Sequence, residues 1–263
     1  MKNAKYIIAI IILLVILFTM FLLYDSKKND QVEKNKTQEV EKKEEEKKPE
    51  EKKEVPKKAI FFGDSITYGF LTRGYSYANY IGDNYGFQIT NAGVSDYRLA
   101  YSDPNKWLVD EVTNHYNDDI EYAYVILEGG INDRLYNTPI GEMTDSFDAS
   151  TFNKNTVIGG LELYLNAVKT KWPEAKIGYI ITYYTPVYTE RGIKWSVEDY
   201  KEYNDAIKKV LDKWSIKYFD LSTDEMSSKL DIYNTTYLPD HLHPNKAGYD
   251  LISPLIYEFM LTI

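Results

Sequence analysis

Four short stretches of the chain carry residue types able to perform acyl-transfer chemistry: Gly63-Asp64-Ser65, Asn91-Ala92-Gly93, Gly129-Gly130-Ile131-Asn132-Asp133 and Asp240-His241-Leu242-His243-Pro244. A serine hydroxyl is a poor nucleophile at neutral pH until an imidazole removes its proton as it attacks a carbonyl carbon. His243 is such a base. Asp240, three positions earlier, could accept a hydrogen bond from the other ring nitrogen, fixing the tautomer and favouring the imidazolium. Each stretch alone also has an ordinary reading: Ser65 as a turn or N-cap serine, the Asn-Asp pair as loop chemistry. Asp240, His241 and His243 could together ligate zinc or manganese. No further His or Cys cluster completes a coordination shell, however, so neither metal nor other cofactor is expected. Asp64 and Asp133 read as structural carboxylates that hold their turns, and His115 as an ordinary histidine in a helical pattern.

These residues need a scaffold that brings distant points of the chain together. Short apolar runs, "AIFFG" (59–63), "FQITNAG" (87–93), "AYVILEGG" (123–130), "KIGYIITYY" (176–184) and "IKYFDLS" (216–222), read as five buried strands. Amphipathic stretches predict helices over 75–85, 104–116, 153–172, 197–214 and 245–261. Continuously apolar strands alternating with helices imply a parallel sheet covered on both faces. In such sheets ligands bind beyond the carboxyl ends of the strands. Three of the four stretches fall at the carboxyl end of a predicted strand, and Ser65 stands where the first one stops.

In order and placement, the four stretches resemble the blocks of the SGNH, or GDSL-type, esterase and acylhydrolase family over nearly all of residues 59–263. The resemblance implies an α/β, flavodoxin-like three-layer sandwich with a five-stranded parallel sheet. It implies Ser65 as nucleophile, Asp240 and His243 as its partners, and Ser65, Gly93 and Asn132 as oxyanion donors. Losing one such donor typically costs about 3 kcal/mol of transition-state stabilisation. The G-x-S-x-G elbow of the α/β-hydrolases is not matched, because position 67 is Thr67. After Gly93 the chain reads Val94-Ser95-Asp96, where many members of the family carry a further glycine.

The first 58 residues cannot join this core. Residues 6–24 hold no charged side chain, long enough to cross a bilayer as a helix, and read as an uncleaved single-pass anchor rather than a signal peptide. Lys2 and Lys5 favour a cytoplasmic N-terminus and an extracytoplasmic domain, although Lys27 and Lys28 weaken that asymmetry. Residues 25–58 have three valines as their whole aliphatic content and no aromatic residue, so they are expected to form a charged tether, disordered or partly helical. The absence of cysteine decides nothing about compartment. The tether carries 12 Lys against 11 Asp plus Glu, and Lys2 and Lys5 add two positive charges; a whole-chain charge of −9 then leaves −12 on residues 59–263. A domain so acidic is a poor match for nucleic-acid phosphates.

After the fourth strand comes "TYYTPVYTERGIKWS", in which Tyr184, Tyr188 and Trp195 are candidate substrate contacts, able to stack on sugar rings or pack against acyl groups; packing of the loop itself is the alternative. The expected substrate is a small ester or an acylated glycan. Acyl transfer to an alcohol, lipid acylhydrolysis and a non-catalytic envelope-binding module are the competing expectations.

Overall fold

Both faces of the central strands are apolar, so each strand must be sandwiched between two layers of helices. The computed structural model describes residues 16–21, 24–27, 56–117, 119–188 and 195–263. Five strands, β1 (Lys58–Gly63), β2 (Gln88–Gly93), β3 (Tyr124–Glu128), β4 (Lys176–Ile181) and β5 (Lys217–Asp220), form one parallel sheet in the order β2-β1-β3-β4-β5. This is the flavodoxin-like order, with its switch point between β1 and β3. Helices α1 (Ser65–Tyr68), α2 (Tyr77–Tyr85), α3 (Leu108–Asn114), α4 (Ile131–Leu135), α5 (Val157–Lys171), α6 (Val197–Lys213), α7 (Asp224–Lys229) and α8 (Lys246–Thr262) complete the unit.

The period of two in a strand divides the core into two layers. Ile60, Phe62, Val125, Leu127, Tyr179 and Ile181 face one layer, packed with Leu108 and Val112 of α3, Leu161 and Leu165 of α5, and Ile207 and Val210 of α6. Ala59, Phe61, Tyr124, Ile126 and Ile180 face the other, packed with Tyr77 and Ile81 of α2 and Tyr249, Ile252 and Ile256 of α8. Burying a large apolar side chain contributes about 1.5–3 kcal/mol, so these two layers dominate the stability of the unit Val55–Ile263.

Capping residues set where the helices begin. Ser76 caps α2 in a reciprocal box with Asn79, Thr156 caps α5 by accepting from the Gly159 N–H, and Ser196 caps α6 in a box with Asp199. The segment before α3 is instead tied to residue 98, through a parallel bridge between Arg98 and Trp107. The short helices α1, α4 and α7 were not expected; each follows the carboxyl end of a strand.

The predicted anchor (6–24) and tether (25–58) lie mostly outside the described residues. Within them, residues 16–21 and 24–27 are helical. Among the described residues no helix is long and apolar enough to cross a membrane.

Candidate active site

The register places the site. Gly63 at the end of β1 pairs with Gly93 at the end of β2, and Phe62 pairs with Leu127, one residue before the end of β3. Ser65 and Asn132, two and four residues past their strands, therefore emerge on the same edge. Ser65 is the first residue of α1, whose N-cap Asp64 accepts a hydrogen bond from the Ile66 N–H at 2.9 Å. The Tyr249 hydroxyl of α8 donates to the Ile66 carbonyl at 2.7 Å and ties this turn to the last helix.

His243 reaches the same point from the loop before α8. Its Nε2 lies 2.8 Å from Ser65 Oγ, across a sequence separation of 178 residues. Its Nδ1 lies 2.6 Å from Asp240 Oδ2. Asp240 Oδ1 accepts the Leu242 and His243 backbone N–H groups at 3.0 and 2.7 Å, so the carboxylate is oriented before it meets the ring. Partial burial opposes ionisation of Asp240, but the hydrogen bonds from the His243 ring and backbone, the His243 charge and the Leu242 N–H hold its pKa below the ordinary carboxylate value. Ser65 and His243 are only 6% and 8% exposed, so this line of three side chains is largely shielded from solvent. Asp240 is the open end of the line.

Asn132 on α4 also faces this edge. Its Nδ2 donates to the Tyr97 carbonyl at 3.0 Å and, more weakly, toward Asp64 Oδ2 at 3.3 Å. Gly93 closes β2 beside this turn, and its N–H donates to Asn91 Oδ1 at 3.0 Å. A Cβ there would lie 2.3 Å from the Tyr68 backbone nitrogen, so the close approach of α1 to the end of β2 requires glycine. Asn91 holds the same contact from below, its Nδ2 donating to the Thr67 carbonyl at 3.0 Å.

Residues 61–251 match the family model described as GDSL-like Lipase/Acylhydrolase. The chain belongs to that family. It is a serine ester hydrolase of the GDSL type. No curated protein matches the chain. Solved structures share the hydrolase's fold at low identity. A member of the lipolytic G-D-S-L family from Veillonella parvula is 19% identical with a TM-score of 0.54, over 76% of this chain and 96% of its own. A carbohydrate acetylesterase from Sinorhizobium meliloti is 15% identical with a TM-score of 0.56, over 78% and 99%. A catalytic mutant of an acetylxylan esterase from Geobacillus stearothermophilus is 16% identical with a TM-score of 0.53, over 78% and 95%.

Beneath Ser65 of this hydrolase lies a buried polar network that sequence reasoning missed. Glu128, the last residue of β3 and 1% exposed, accepts the Asp64 N–H and the Thr67 hydroxyl through Oε2, both at 3.0 Å, and the Thr182 hydroxyl through Oε1 at 3.0 Å. Burial first, and then the charge of Glu128, push the pKa of Asp64 well above the ordinary carboxylate value. Burial raises Glu128 as well, against the opposing hydrogen bonds from Asp64, Thr182 and Thr67. Asp133 anchors the loop after β2, accepting the Leu99 and Ala100 N–H groups at 2.8 and 2.9 Å. Burial raises its pKa to about 6 despite those bonds and the nearby Arg98. The available signal for Glu128 was a lone charge at the end of an otherwise apolar run.

Tyr184 is buried with its ring 5.3 Å from that of Tyr200, and Trp195 lies 6.3 Å from the same ring. Both, with Tyr188, pack against the α8-side core. Tyr184 also lines a cavity of about 430 Å³ with Val197, Asp224, Ser227, Asp231 and Tyr233. The ring that touches His243 is Phe70. Residues 189–194, between Tyr188 and Trp195, lie outside the described residues. Among the described residues, no group of three or more His, Cys, Asp or Glu side chains is arranged to hold a metal ion.

Proposed function

We propose that this hydrolase removes small acyl groups, with O-acetyl groups on cell-envelope carbohydrate as its substrate class, through an acyl-enzyme on Ser65. The observation that carries the reading is the continuous line from Ser65 Oγ through both nitrogens of His243 to Asp240, with contacts of 2.8 and 2.6 Å. With Asp240 accepting from Nδ1–H, Nε2 is left as the acceptor that faces the serine hydroxyl.

The steps follow from that tautomer. Ser65 Oγ attacks the ester carbonyl carbon while His243 Nε2 takes its proton. The carbonyl oxygen becomes an oxyanion, which the Ser65 and Gly93 backbone N–H groups and the Asn132 amide stabilise. For Asn132 this means redirecting the N–H it aims at Asp64 over 3.3 Å, the weaker of its two bonds, while Tyr97 keeps the amide in place. Collapse breaks the bond to the alcohol oxygen, which leaves with the proton from His243. Water then repeats the sequence on the acyl-enzyme, releasing the acid and restoring Ser65.

The carbohydrate reading is supported by acetylesterases among proteins of the same fold. The envelope location is supported by the apolar segment 6–24 and the charged segment 25–58, which suit a single-pass anchor and a spacer that holds the domain on the outer side. The full-length chain should hydrolyse a short-chain aryl ester and release acetate from acetylated glycan, with chelators leaving the rate unchanged. Ser65→Ala should remove both activities. Chelator inhibition together with an active Ser65→Ala variant would overturn the mechanism.

A further inference from the structure

Phe70 opens a 3-10 turn (Phe70–Thr72) five residues after Ser65. Its ring centroid lies 4.7 Å from that of His243, with the planes 37° apart. Phe70 is nevertheless 51% exposed, so burial of its own surface does not account for where it sits. The backbone does. Gly69 is left-handed at φ 89°, and a Cβ there would lie 2.6 Å from the Tyr75 carbonyl oxygen. The Gly69 carbonyl accepts the Thr72 and Gly74 N–H groups at 3.1 and 3.0 Å, which closes the turn. The segment between the nucleophile and α2 is thereby folded so that one aromatic face meets the ring of the general base.

We propose that Phe70 is a positioning residue for the ester hydrolysis. Its π face holds the His243 ring in the orientation that joins Asp240 to Ser65 and favours the imidazolium as that charge develops. The inference rests on Ser65 and His243 being the reacting pair. It adds an element neither the triad nor the oxyanion donors supply, because the two hydrogen bonds to the ring hold its nitrogens and Phe70 meets the ring itself.

The test compares Phe70→Leu, which keeps apolar bulk without a π face, with Phe70→Tyr and Phe70→Trp, which restore one. All are made in the full-length chain and assayed on a short-chain aryl ester, with thermal unfolding followed in parallel. An aromatic contact to a cation at a partly exposed site corresponds to a rate factor of about five. Phe70→Leu should lower kcat by about that factor with KM within twofold of the parent and an unchanged unfolding midpoint, while Tyr and Trp at this position recover the parent kcat. A parent kcat in Phe70→Leu, a change confined to KM, or no recovery with either aromatic variant would each overturn the inference. A Ser65→Ala variant in the same series separates the two claims: its activity would sink the catalytic reading, whereas its inactivity beside a parent-like Phe70→Leu would sink the role of Phe70 alone.

Discussion

Asp240→Asn is a substitution of almost no volume, and the structure gives it a large consequence. Asp240 Oδ1 accepts two backbone N–H groups, from Leu242 and His243, while Oδ2 faces His243 Nδ1. An asparagine here must keep its oxygen toward the two N–H groups. Turning its NH2 group toward them would lose two hydrogen bonds, worth about 1 kcal/mol each, and oppose donors to donors. The NH2 group is therefore left facing Nδ1, which must then accept. The imidazole proton moves to Nε2, where it points at Ser65 Oγ, 2.8 Å away, and the general base is lost. Locking a triad histidine in the wrong tautomer lowers kcat by about 10⁴, or roughly 5.5 kcal/mol in the barrier. Asp240→Ala lets water accept from Nδ1–H and should retain more activity than Asn, an ordering that charge loss alone does not produce. The assay is kcat on a short-chain aryl ester at neutral pH, with unfolding midpoints as the control for folding. Asp240→Asn retaining more than a tenth of the parent kcat, or matching Ala, would refute the reasoning.

Three further outcomes follow from the same geometry. Glu128→Ala orphans the Asp64 N–H and the Thr182 hydroxyl in a dry site and should cost about 2–6 kcal/mol by urea unfolding, with Glu128→Gln milder because one acceptor remains; a loss under 1 kcal/mol for Ala would contradict the network. Asp133, with its folded pKa raised to about 6, binds more protons folded than unfolded between about pH 4 and 6. Its contribution to stability is thus fullest below pH 4 and declines by roughly 3 kcal/mol as pH rises through 6. The difference between parent and Asp133→Asn unfolding free energies should carry this slope, and a flat difference across pH 4–7 would refute it. Asn132→Ala should lower kcat by about 10²–10³ with little change in KM, measured on the aryl ester; a loss under fivefold would remove Asn132 from the oxyanion donors.

Much of this architecture is readable in the chain because burial on both faces leaves no room for polar residues within a strand. "AIFFG" and "AYVILE" could only be central strands, and the residues following them could only lie at the sheet's carboxyl edge. The meeting of Ser65 with His243 was legible as a requirement of chemistry, since neither residue is useful without the other. The partner of the Gly93 N–H was not legible, because it depends on the rotamer of Asn91, fixed in turn by contacts to Thr67, Ser76 and Asn79. Glu128 was passed over because a terminal glutamate is normally solvated, and only the sheet register shows it level with Gly63 and under Ser65. The contact of Phe70 with His243 depends on how the turn after Ser65 closes and on its alignment with a loop 173 residues away, and no periodicity encodes either. Tyr184 and Trp195 carried a different ambiguity: both lie near the Tyr200 ring, and Tyr184 also lines a cavity, so packing and substrate contact are not exclusive there.

The central claim is that Ser65 is a nucleophile activated by His243, and covalent capture tests it most directly. The full-length protein treated with a serine-directed phosphonate, then digested and mapped by mass spectrometry, should carry one adduct on Ser65, formed at least a hundredfold more slowly in His243→Ala. An unlabelled Ser65 in protein that still hydrolyses the aryl ester, or equal labelling rates with and without His243, would contradict the account.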